Sequence, residues 1–207
     1  MISSSFPIDS GHCLVADASV VINLNATERA TDIIKALPNT LFVTENAFGE
    51  LKTGLRNGHN DAEKLRALID SGVVRVAALG TASDIIYDSL IEGAAERTLD
   101  DGEAATIAYA YHCNGIAVID ERKARSICAS RFPKLAILSS VDLLLHKSVE
   151  RELGRDGQIE AIVAALRCAR MRVPQENMDD LVALIGHERA ASCNSLPKAA
   201  RGETKTG

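Results

Sequence analysis

The stretch Leu99–Arg125, LDDGEAATIAYAYHCNGIAVIDERKAR, decides the fold. It opens on acids, runs through GEAATIAYAYHC with apolar residues at helical spacing, turns at Asn114-Gly115, and continues as the short apolar segment IAVID. It closes on ERKAR, the start of the basic helical run ERKARSICASRF. A helix, a two-residue turn, a strand apolar on both faces and a second helix form the repeating unit of a parallel α/β sheet.

The same unit recurs outward in both directions. CLVAD (Cys13–Asp17) is a second apolar strand ending in an acid, followed by the helical segments ASVVINL and TERATDIIKAL, the latter with Thr27 as its expected cap. LFVT, VVRVAAL and LAILS supply three more strands. Between them lie the helical runs ENAFGELKTGLRNG, DAEKLRALIDSG and TASDIIYDSLIEGAAE. Strands separated by helices in this way predict a mostly parallel central sheet of about five strands with helices on both faces. After Ser140 only helical patterns follow: SVDLLLHKSVERELG, QIEAIVAALRCARM and MDDLVALIGHERAA. The expected organisation is a catalytic-type α/β domain over residues 1–147, a helical extension over 148–191 that adds to the core or to an interface, and a disordered polar tail over 192–207.

Composition excludes several classes of function. With 46% hydrophobic residues in 207, the chain can bury a proper core. No apolar run approaches a membrane span and the start has no basic-then-apolar leader pattern, so a cytoplasmic protein is expected. The five cysteines contain no C-x-x-C pair and the five histidines no H-E-x-x-H, which argues against zinc and thioredoxin-like chemistry. The net charge of −5 disfavours nucleic acid at long range, yet Lys52, Arg56, Arg122, Lys123 and Arg125 interleave with the acids of their own segments.

In an open parallel sheet, ligands bind beyond the carboxyl ends of the strands. Asp17 and Asp120 each end an apolar strand, so folding places both on one rim. Glu50 lies on the helix after the second strand and Glu103 begins the helix before the fourth, so four carboxylates can share one pocket. Like charges at short range persist only with protons or cations among them. Oxygen ligands without histidine or thiolate favour Mg²⁺ or Mn²⁺, the ions of metal-dependent phosphodiester cleavage. Local readings stand beside this one. Asp100 and Glu103 fit a helix-start box in which Asp100 accepts from the Glu103 N–H; Asp101 is a rival ligand; and Asp120 can cap the helix that follows it.

LVADASVVINL, ENAFGELKTGL, LDDGEAATIAYA and AVIDERKAR, in that order, resemble the acidic motifs of PIN-domain ribonucleases, including the VapC-type toxins of bacterial toxin–antitoxin pairs. The likeness runs from about Cys13 to about Lys147. It implies a three-layer sandwich, Asp17, Glu50, Glu103 and Asp120 as catalytic metal-binding acids, one or two Mg²⁺ or Mn²⁺ ions, and a single-stranded RNA substrate. Ser19 matches the hydroxyl that supports the first acid, and Glu103 stands where the family often has the shorter Asp. Lys52, Arg56, Arg122, Lys123 and Arg125 then become candidate contacts to RNA phosphates, with a small antitoxin and a second copy of the chain as expected partners. A catalytically silent PIN fold that binds RNA or protein is the alternative. A haloacid-dehalogenase-like phosphatase would need a second Asp at the position that Ser19 occupies.

Overall fold

The computed structural model describes residues 11–55 and 60–202. Among them, five strands form one parallel sheet: β1 (Leu14–Ala16), β2 (Leu41–Thr44), β3 (Val74–Ala77), β4 (Ile116–Val118) and β5 (Ala136–Leu138), in the spatial order β3-β2-β1-β4-β5. Leu14 pairs with both Leu41 and Ile116, and Ala16 with Val43 and Val118, so β1 is central and in register with both neighbours. Every residue of β1 and β4 is buried, which is why both read as unbroken apolar runs.

The helices that precede β5 in the chain are α1 (Ala18–Ala26), α2 (Ala30–Ala36), α3 (Glu45–Leu55), α4 (Asp61–Asp70), α5 (Thr81–Ile91), α6 (Asp101–His112) and α7 (Arg122–Arg131). From β1 the chain moves to β2 and from β4 to β5, in opposite directions across the sheet. The crevice between the carboxyl ends of β1 and β4 is therefore the topological switch point, the place where such sheets bind ligands. One face of the sheet packs Val15 and Ala117 with Ala104, Ile107 and Ala110 of α6 and with Ala124 and Cys128 of α7. Leu14, Ala16, Ile116 and Val118 alternate onto the other face and are buried as well.

Two compact units make up the chain. The one that carries the sheet contains residues 11–21 and Pro38–Leu138; the other contains Ile22–Leu37 and residues 139–202. The division into units falls at Ser139, and α2 groups with the later helices. In that second unit lie α8 (Ser140–Leu144), α9 (Lys147–Cys168), a 3₁₀ turn at Gln175–Asn177, α10 (Met178–Ile185) and α11 (His187–Ala191). Among the described residues no helix is long and apolar enough to cross a membrane.

Local chemistry explains where the helices stop. Ser139 and Asp142 form a reciprocal box at the start of α8. The expected helix over 140–154 breaks after Leu144, where His146 accepts from the Ser148 N–H and starts α9. Gly154 then interrupts α9 at φ 71°, and Gly186 separates α10 from α11 at φ 81°. Thr27 does not cap α2. Its hydroxyl donates to the Leu24 carbonyl and accepts from the Arg29 N–H, closing the turn after α1, with Glu28 left-handed at φ 57°. Residues 192–202 are not the structureless tail their polarity suggested. Cys193 and Leu196 are buried and the Ser195 hydroxyl donates to the Leu166 carbonyl, because two apolar side chains suffice to anchor the turn. Residues 203–207 lie outside the described residues.

Candidate active site

Asp17 directly follows β1, and its N–H makes the last ladder bond to the Val118 carbonyl of β4 at 3.2 Å. Its Oδ2 accepts from the Ser19 hydroxyl at 2.9 Å and the Ser19 N–H at 3.3 Å, so the side chain caps α1 with one oxygen. The other oxygen, Oδ1, is buried with no hydrogen-bond partner. Burial lifts the carboxyl above the ordinary aspartate range; the bonds from Ser19 and the Ala18 N–H oppose the lift, and the nearby Asp100 charge adds to it.

The start of α6 draws two glutamates. Glu50, on α3, accepts at Oε1 from the Gly102 N–H at 2.6 Å. Half-burial raises its pKa, the Gly102 bond lowers it, and the charges of Asp17, Asp101 and Asp100 raise it again. Glu103 is buried and its pKa is pushed up to about 7, first by burial, then by Asp17 and Asp100, with a further contribution from Glu50. The Asp100 N–H, near the Glu103 carboxyl, opposes part of that rise. The expected helix-start box is not formed: Asp100 occupies the cap position, yet its side chain makes no capping bond. Asp101 accepts at Oδ1 from the Asn46 amide at 2.9 Å and from the Tyr87 hydroxyl, which holds the Tyr87 pKa up at about 12.

Asp17, Glu50, Glu103 and Asp100 therefore feel one another's charge across three separate chain segments. Asp120 sits two residues beyond β4 on the same carboxyl edge and is buried. Among the described residues no three His, Cys, Asp or Glu side chains stand at a common ligating point. The Gly102 N–H occupies Oε1 of Glu50 and leaves that carboxylate further lone pairs.

By chemistry alone, carboxylate oxygens without histidine or thiolate are the ligands a hard divalent cation takes. Asp17 Oδ1 is buried without a hydrogen-bond partner, and the carboxyls around it are protonated more readily than free ones. A buried acceptor left this way is costly unless something fills it.

The basic candidates are distributed less simply. Lys52 lies with its Nζ 4.4 Å over the Phe48 ring, a cation–π contact. Lys123 donates to the Ala95 carbonyl at 2.7 Å and Arg125 to the Ile119 carbonyl at 3.2 Å, so the first braces the connection between α5 and α6 and the second the segment after β4. Arg122 is exposed at the start of α7. Arg56 lies outside the described residues. Reading the chain as a string assigned Asp100 only a cap and gave Gly102 and Tyr87 no role. The one available signal was the glycine between two acids at a helix start, a mark of close approach by another group.

A family model described as a PIN domain matches residues 13–187. No curated protein and no solved structure matches the chain.

Proposed function

The chain belongs to the PIN-domain family, generally a nuclease fold that uses divalent metal ions, and on that premise we propose that it is a metal-dependent endoribonuclease. The single observation that carries this reading is the buried, unpartnered Asp17 Oδ1 among the mutually raised carboxyls of Glu50, Glu103 and Asp100. Asp17, Glu50, Glu103 and Asp120 would hold Mg²⁺ or Mn²⁺. When bound, the ion would lower the pKa of its water and neutralise charge on the departing oxygen of the phosphodiester.

The chain's own residues do the rest. Ser19 holds Asp17 Oδ2 in place, which would leave Oδ1 for the ion. The Gly102 N–H anchors Glu50, and burial restricts Glu103. Arg122, Lys123, Arg125 and Lys52 would attract the phosphates of single-stranded RNA on either side of the cut. Aromatic residues are only 3% of the chain, so stacking contributes little to the grip on bases. A toxin role belongs to the same reading: a small antitoxin would cover the acidic rim, and a homodimer is the expected assembly.

The test is a labelled single-stranded RNA incubated with purified protein under a Mn²⁺ titration, with EDTA and Asp17→Asn as controls. Cleavage that requires Mn²⁺ and disappears in Asp17→Asn is the expected result. Cleavage that survives EDTA would overturn it, and RNA binding without cleavage at any Mn²⁺ concentration would identify a silent binding fold instead.

A further inference from the structure

At the opposite edge of the sheet from Asp17, two sulfurs meet. Cys13, immediately before β1, and Cys113, the residue that ends α6, place their Sγ atoms 3.1 Å apart although they are 100 residues apart in sequence. That is about 1 Å longer than a disulfide bond, itself about 2.05 Å. The backbone around the pair is held: the Cys13 carbonyl accepts from the Ile116 N–H at 2.9 Å, and the Cys113 N–H donates to the Tyr109 carbonyl at 3.0 Å. Gly115 makes room for the sulfurs. A Cβ there would lie 2.7 Å from the Cys13 sulfur and 3.0 Å from the Cys113 sulfur. Both cysteines are half-buried, so a small oxidant can reach them, whereas Cys128 and Cys193 are buried and Cys168 is exposed.

We propose that Cys13 and Cys113 are a reversible dithiol–disulfide site, oxidised by low-molecular-weight disulfides of the glutathione class, which staples the start of β1 to the end of α6. Burial and the neighbouring Cys13 sulfur push the Cys113 thiol up, which suits Cys113 to the second, resolving step. The Cys13 thiolate attacks one sulfur of the disulfide RSSR, forming Cys13–S–S–R and releasing RS⁻, which takes up the proton that Cys13 lost. Cys113 then gives up its proton, attacks the Cys13 sulfur and displaces the second RS⁻, which takes that proton. Two protein thiols are oxidised to one disulfide and RSSR is reduced to two RSH. The cross-link closes a long loop and so restricts the unfolded chain strongly. It touches none of the acids at the other end of the strands, and the inference stands independently of the nuclease reading.

Equilibration of the whole protein in buffers of graded oxidised-to-reduced glutathione, followed by mass spectrometry and peptide mapping, tests it. The wild type is expected to lose two hydrogens per chain with Cys13 and Cys113 in one linked peptide pair, and to unfold several degrees higher when oxidised. Cys168→Ser should behave likewise. Cys13→Ser and Cys113→Ser should lose both the internal bond and the redox-dependent shift in Tm. A wild type that stays fully reduced at every ratio, a bond mapped to other cysteines, or a lower Tm on oxidation would each overturn the proposal. Because these readouts use the wild type, they hold even if a serine variant folds poorly.

Discussion

The backbone N–H of Gly102 donates to Oε1 of Glu50 across 2.6 Å, joining α3 to the first turn of α6. A Cβ on Gly102 would fall 2.7 Å from Oε2 and 2.8 Å from Cδ of the same carboxylate, so the glycine is the seat on which Glu50 rests. The α6 macrodipole favours the negative charge at that point.

Gly102→Ala separates this steric role from helix propensity. Propensity alone would make alanine about 1 kcal/mol more favourable within the helix. Displacement of Glu50 predicts a loss instead: Mn²⁺ affinity, read by calorimetry, is expected to fall about 10-fold or more. The double variant Gly102→Ala/Glu50→Asp, with its shorter arm, should recover part of that loss. Equal Mn²⁺ binding by wild type and Gly102→Ala would show that the seat has no part in holding the ion.

Glu103 sets a pH dependence of the metal-free protein. An acid whose pKa is higher in the folded chain binds more protons when folded, so its contribution to stability is present below about 4.5 and is lost as the pH rises through about 7. Glu103→Gln removes the charge at every pH. Thermal melts in EDTA should show this variant more stable than wild type by a few degrees at pH 8 and indistinguishable from it near pH 4.5. A constant difference across that range would place the cause elsewhere.

Ser19→Ala isolates the hydroxyl that fastens Asp17. The 2.9 Å bond disappears while the Ser19 N–H continues to donate, so the fold should lose about 1 kcal/mol or less. Orientation of the ligand is more sensitive, and Mn²⁺ affinity should drop about 10-fold. Urea unfolding and Mn²⁺ titration of the same preparations would measure the two effects side by side.

A divalent ion that binds the folded chain alone stabilises it by mass action. Mn²⁺ at about 100 times its dissociation constant should raise the unfolding free energy by about 2.7 kcal/mol. Asp17→Asn should show no such rise. Stabilisation of equal size in that variant would point to an ion site that excludes Asp17.

Much of the frame was legible in the residues. β1 and β4 are buried on both faces, so each appears as an uninterrupted apolar run, and the acid ending each run falls on the same edge. Short-range signals were weaker where two neighbours compete for one group. Asp100 looked like a cap because Asp before a helix usually bonds the helix amides, yet Glu50 occupies the Gly102 N–H of that first turn. Thr27 looked like a helix start for the same local reason, while its hydroxyl serves the turn before.

The chain alone determined its alternation of strands and helices, because periodic burial writes itself into residue order at a spacing of two or four positions. It also determined which acids end the central strands. Tertiary structure decided which groups meet: Glu50 on Gly102, 52 residues away, and the Cys13 and Cys113 sulfurs, 100 residues apart. Such contacts arise only when the sheet closes and brings distant segments within bonding reach, and no pattern along a single segment encodes a distance between two of them.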